Sequence, residues 1–130
     1  MAFQIKRVYE PAKMADGTRV LIDRLWPRGV KKSAAHLALW MKEIAPSARL
    51  RVWFGHKPER FAEFRRRYEL ELANNPALRR LRTLGKSKPV TLVYAAHDPK
   101  VNHAAVLQSV LRARRSAGVL KTKPSNSRKG

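Results

Sequence analysis

A chain of 130 residues with 44% apolar content is long enough for a single hydrophobic core, and the absence of cysteine excludes disulfides, thiolate metal sites and a cysteine nucleophile. Against 9 Asp and Glu stand 29 Lys and Arg, a formal net charge of +20 that attracts polyanions at low salt whatever the fold and carries no specificity. The start MAFQIKRVYEPAK lacks the apolar core of a signal peptide and no run is long enough to span a bilayer, so no membrane partner and a cytoplasmic home are expected.

Residues 3–9, FQIKRVY, read as a strand whose imperfect alternation suits an edge or partly covered position. Residues 10–17 hold Pro11 and Asp16-Gly17, which is turn chemistry; this join leaves the direction of the next strand open. That strand starts at Thr18 and carries Val20, Leu21 and Ile22, apolar enough to be covered on both faces. Pro27 and Gly29 end it, so it delivers Asp23, Arg24, Trp26 and Arg28 to one of its ends.

Ser33 is placed to cap a helix over 34–43, with Leu37, Trp40, Met41 and Ile44 on one side. A second short helix over 47–53 ends at Gly55. Pro58 suits the first turn of a helix reaching 74, in which Phe61, Phe64, Tyr68 and Leu72 form an apolar stripe. Glu63 with Arg67, and Arg67 with Glu71, sit four apart and are expected to pair. A further helix spans 77–84 with Gly85 as its C-terminal cap. Residues 89–96, PVTLVYAA, are the clearest strand and belong at the sheet centre. Asp98 can cap the last helix with Pro99 at its first position.

Strongly apolar strands separated by helices imply an α/β fold: a single compact domain over 1–117, with a small, mostly parallel sheet flanked by helices. Residues 118–130 are expected to form a basic, disordered tail. If the two apolar strands are parallel, their C-terminal ends share one edge, where such folds hold ligands. Cationic side chains near a helix start favour an anion. The expected anion-binding residues are Arg24, Arg28, Lys31, Asn102 and His103, with Asp23, Trp26, Pro27, Gly29, Lys42, Arg51 and His56 lining the same pocket. Four of them have a plainer reading: Trp26 packs in the core, Asp23 pairs with Arg24 or Arg19, Asn102 only caps its helix, and His103 is structural.

The candidates for acid–base chemistry are His103, His97 and Asp98, histidine being suited to that role near neutral pH. His36, His56, His97 and His103 show no metal-ligand spacing with acidic partners, so no metal is expected. No G-x-S-x-G elbow, P-loop or dinucleotide fingerprint occurs, and no cofactor is expected.

Several blocks together resemble the YeaO-like family of small bacterial proteins, within a large group of domains of unknown function. They are DGTRVLIDRLWPRGVKK (16–32), WMKEIAPS (40–47), LRVWFGH (50–56), FAEFRRRYELEL (61–72) and TLVYAAHD with NHAAVL (91–107). The resemblance implies a compact α/β fold and no established activity. In longer relatives of that family the last strand and helix resemble L-C-x-E…C-H-R; here Asn102-His103 match only the histidine and both cysteines are missing. The comparison therefore offers an anion cradle without a thiol nucleophile.

Three readings follow. The first is recognition of a phosphate-bearing ligand, a nucleotide or nucleic acid, at the strand ends. The second is a hydrolase or transferase using His103 and Asp98 on an anionic substrate. The third is non-specific polyanion binding through the tail alone.

Overall fold

The computed structural model describes residues 3–113. Four strands, β1 (Phe3–Arg7), β2 (Thr18–Leu21), β3 (Leu39–Trp40) and β4 (Val90–Tyr94), pair in the order β1-β4-β2-β3, all parallel. Every residue of β4 is buried, which is why VTLVY carries no polar residue but Thr91. β1 lies at an edge, and its direction, open in the sequence, is parallel to β4.

The two sheet faces are covered differently. Phe3, Val20, Ile22, Val90, Leu92 and Tyr94 face α2 (Ala48–Phe54), α3 (Phe61–Ala73), α4 (Ala77–Ser87) and α5 (His103–Arg112) across the main core. Phe54 and Phe64 stack there at 4.2 Å, and Tyr68 donates to the Ile44 carbonyl at 2.7 Å. The opposite face alternates with it along each strand. There Val8, Leu21 and Val93 lie beneath Trp26, Val30, Leu37 and Trp40, from a segment whose helix is the single turn α1 (Lys32–Ala35).

The rest of that face is a buried polar knot. Asp16 accepts from Lys6 Nζ at 2.9 Å, from Arg19 Nη1 at 2.7 Å and from the Lys13 amide at 3.1 Å. Arg19 spends its remaining donors on the carbonyls of Ala35 and His36, so α1 is tied to β2. Thr91 donates to the Asp16 carbonyl at 2.6 Å and accepts from Gln4. Every charged member thus has a partner, which a buried ion pair requires.

Several expectations are corrected. The helix over 34–43 does not form. His36 adopts a left-handed conformation (φ 50°), then the Ala38 and Met41 amides pair with the Arg19 and Leu21 carbonyls of β2. Leu37 and Trp40 thereby reach one sheet face while Met41 and Ile44 reach the other, a division one helix stripe cannot make. Gly85 is no cap: α4 runs through it to Ser87, and a Cβ there would overlap the Phe3 ring. Arg67 pairs with Glu63, but Glu71 turns to the Ser47 hydroxyl and amide. Asn102, not Asp98, caps the last helix. The 117/118 boundary and the tail lie outside the described residues.

Gly17 is required where β2 begins. Its φ is +66° and a Cβ would overlap the Pro89 carbonyl oxygen, which accepts from the Thr18 amide. Gly17→Ala is expected to lower stability by about 1–3 kcal/mol, from overlap and strain together; the urea midpoint checks it. Asp16→Asn leaves the buried Arg19 and the half-buried Lys6 without their carboxylate and should cost about 3–5 kcal/mol. Burial raises the Asp16 pKa, but Lys6, the Lys13 amide and Arg19 outweigh it and hold the carboxyl below its ordinary value. Its contribution is therefore complete above the usual carboxylate range and is lost as pH falls through the lowered folded value. Urea midpoints across acidic pH should fall more steeply for the native chain than for Asp16→Asn.

Candidate functional site

β2 and β4 are parallel neighbours, so their C-terminal ends emerge side by side. The pairing continues one residue past β2: the Ile22 amide donates to the Val93 carbonyl at 3.0 Å. Asp23 follows, and its Oδ2 accepts from the Ala95 amide at 3.0 Å, pinning the two ends together. α5 starts beside them. A cavity of about 500 Å³ opens at this edge. Asp23, Arg24 and Leu25 line it from β2, Ala95 to Asp98 from β4, Val101 to His103 from the helix start, and Arg51, Phe54, His56 and Phe64 from the helix layer.

The polar residues divide by what already holds them. Arg24 Nε and Nη2 donate to the Pro46 carbonyl at 3.2 and 3.1 Å, so its fork braces the wall formed by Ala45 and Pro46. Asn102 is 1% exposed and wholly structural: Oδ1 accepts from the Ala105 amide and Nδ2 donates to the Asp98 carbonyl. Asp98 Oδ1 accepts from the Lys100 and Val101 amides, which hold its carboxyl below the usual range. By contrast, the exposed Arg51 guanidinium has no acceptor among the described residues. His56 lines the mouth because Gly55 and His56 both turn left-handed (φ 54° and 58°), a conformation uncommon for a residue with a side chain. His97 is exposed at the same mouth.

His103 meets Asp23 rather than Asp98. Its Nε2 lies 3.1 Å from Asp23 Oδ1 and 3.1 Å from the Ile22 carbonyl oxygen. A carbonyl only accepts, so Nε2 carries a proton aimed at Ile22. Asp23 Oδ1 lies off that line, buried and without a hydrogen bond of its own. Tyr68 packs edge-on against the imidazole at 6.3 Å, and burial first, then the nearby carboxylates Glu71 and Asp23, push its phenol well above the ordinary value. Asp23 pairs with neither Arg24 nor Arg19, since those guanidinium groups are taken by Pro46 and Asp16.

The remaining expected residues stand outside the lining. Trp26 donates to the Val30 carbonyl at 2.7 Å and packs against Trp40 at 5.4 Å on the far sheet face. Pro27 and Gly29 (φ 76°) turn the chain toward that face. Arg28 and Lys31 are exposed on the turn, and Lys42 sits 4.5 Å over the Trp40 ring. The apolar lining, Leu25, Phe54, Phe64 and Val101, was not foreseen as such. Phe64 and Val101 read as ordinary helix-stripe residues, and no local signal says that a stripe continues into a cavity wall.

A family model described as the inactive DUF488-N3 subclade matches residues 2–128. The chain belongs to that subclade. It is 46% identical over 114 residues to the uncharacterized protein YeaO of Escherichia coli K12, covering 87% of this chain and 99% of that one. It is 45% identical over 111 residues to the uncharacterized protein Rv3073c of Mycobacterium tuberculosis H37Rv, covering 85% and 94%. No solved structure matches it.

In this DUF488-N3 chain the pocket lining contains no Ser, Thr, Cys or Lys, and no helix among the described residues is long and apolar enough to cross a membrane. Among the described residues no three His, Asp or Glu side chains converge as a metal site would need. With Nε2 engaged at Ile22, His103 keeps only Nδ1 for a proton or a ligand. Nitrogen-15 NMR of the imidazole should therefore show the Nε2–H tautomer for His103 when it is neutral; the Nδ1–H tautomer would contradict the contact with Ile22.

Proposed function

We propose that the domain binds a small phosphate-bearing ligand of nucleotide size at the C-terminal edge of β2 and β4, without turning it over, in the cytoplasm. The observation that supports this is the cavity itself. Its volume of about 500 Å³ falls in the range of small-molecule sites. Its lining surface is mostly apolar, and its uncommitted cation among the described residues is the Arg51 guanidinium, with His56 and His97 at the mouth, while the free Asp23 Oδ1 lies against the His103 ring. The Asp98 carboxylate is occupied by main-chain amides and one Asp23 oxygen by the Ala95 amide. Arg suits phosphate through two parallel N–H donors. Phe54, Phe64, Leu25 and Val101 offer a surface for an apolar or aromatic body beside the anion.

The description of the subclade as inactive supports binding over catalysis, as does a lining without a hydroxyl, thiol or amine nucleophile. The acid–base reading retains the close approach of Asp23 and His103, but Asp98 stands with its own turn instead of orienting the histidine. A reaction there would need its nucleophile from water or from the substrate.

Titration calorimetry with adenosine monophosphate and with inorganic phosphate, over a salt series, tests this reading. Arg51→Ala is expected to weaken nucleotide binding roughly tenfold or more, the effect of losing a charged hydrogen-bond donor. His56→Ala should weaken it less, and Arg28→Ala should leave it unchanged. Equal binding by the native chain and Arg51→Ala would remove the proposal. A phosphoester and thioester screen should give the same background for the native chain and His103→Ala.

A further inference from the structure

The face of the sheet away from the pocket carries a second concentration of charge. Residues 24–42 contain five Lys and Arg, one His and no acidic residue. Arg24 is turned inward to Pro46, but Arg28, Lys31, Lys32 and Lys42 are exposed and have no carboxylate partner among the described residues. The helix layer differs. Its Arg65, Arg66, Arg67 and Arg80 are paired with Glu69, Glu63 and Glu43 at 2.7–3.2 Å. Basic residues are thus spread over the whole chain, while many of the carboxylates that neutralise them sit on the helix side.

The uncompensated cations are interleaved with aromatic rings. Lys32 Nζ lies 5.9 Å from the Trp26 ring and Lys42 Nζ 4.5 Å from Trp40. Trp26 and Trp40 are half-buried, their apolar undersides on Leu21 and Val93. Tyr9 is 49% exposed, lies under the Arg7 guanidinium at 5.0 Å, and donates its hydroxyl to the Arg28 carbonyl at 3.0 Å. These contacts make one continuous surface from Tyr9 through the 26–32 turn to Trp40 and Lys42. The indole N–H groups bond to the Val30 and Asp23 carbonyls, so the rings are held rigidly.

We infer that this face binds single-stranded nucleic acid, independently of the pocket. Unpaired cations track a phosphate backbone, while rigid, partly exposed rings take unstacked bases that a duplex keeps inside. It goes beyond the small-ligand reading because it uses none of the cavity residues. It also gives a place to Arg28, Lys31, Trp26 and Lys42, which the sequence grouped with the pocket.

The test is fluorescence anisotropy of a labelled oligothymidylate with the full chain over a salt series. Arg114, Arg115 and the later basic residues are present in every variant, so their contribution is common to all. The triple variant Arg28→Ala/Lys31→Ala/Lys32→Ala should lose at least about tenfold in affinity and lower the salt slope by about 2, as expected for three single-strand phosphate contacts. Tyr9→Ala should weaken binding about fivefold or more with an unchanged slope, and Tyr9→Phe should restore it. The helix-layer triple variant Arg49→Ala/Lys57→Ala/Arg79→Ala should stay within about twofold of the native chain. Equal losses in both triple variants, no loss in the first, or equal affinity for duplex would each overturn the inference. Arg51→Ala should bind the oligonucleotide normally, so a failed pocket and a failed surface are told apart.

Discussion

The parallel pairing of β2 with β4 is the constraint on which the molecule depends. Parallel neighbours end at the same edge, and the ladder carries on past the strands through the Ile22 amide and the Asp23 carboxylate. That extension sets Asp23, the Ala95–Ala96 segment and the start of α5 around one hollow. It also supplies the Ile22 carbonyl that receives His103. Had the strands been antiparallel, the residues after Ile22 and those after Tyr94 would leave from opposite ends, and no cavity would join them.

The Asp16 knot solves a different problem. A parallel sheet needs both faces covered, yet the long helices all pack on one. The other is closed by short irregular chain, whose Trp26, Val30, Leu37 and Trp40 cover only the part over Leu21 and Val93. Asp16, Lys6, Arg19 and Thr91 join the 13–17 turn to three strands, and the Arg19 guanidinium reaches on to the carbonyls that end α1. Directional bonds replace apolar area there, and removing one partner leaves buried charge rather than a mere gap. The same arrangement anchors the segment that carries Trp26, Lys31 and Lys32, so a polar device inside the fold holds a cationic surface in place outside it.

Much of the fold was legible because period and punctuation are local properties. The all-buried run VTLVY, the stripe Phe61-Phe64-Tyr68-Leu72 and the stops at Gly55 and Asn74-Asn75-Pro76 say what they form without reference to anything distant. Residues 34–43 misled for the same reason. Their apolar spacing suits a helix, and only the open edge of β2 turns Leu39 and Trp40 into a strand. Gly85 reads as a cap until Phe3, from the other end of the chain, fills the space beside it. Asp23 and His103, 80 positions apart, were expected at one strand edge, but no local signal says that they touch.

By itself the sequence determined the class of fold, the central place of the last strand, the excess of positive charge and the absence of thiol chemistry, since each follows from composition or from neighbours along the chain. Tertiary structure alone decided which polar groups remain available. Arg24 looks free in the sequence and Asn102 could serve either a ligand or a cap, yet both are consumed by backbone partners, whereas Arg51 has no such acceptor among the described residues and Arg28 and Lys31 lie outside the cavity lining. Hydrogen bonding saturates, and whether a donor is already taken depends on which carbonyls folding brings within about 3 Å of it.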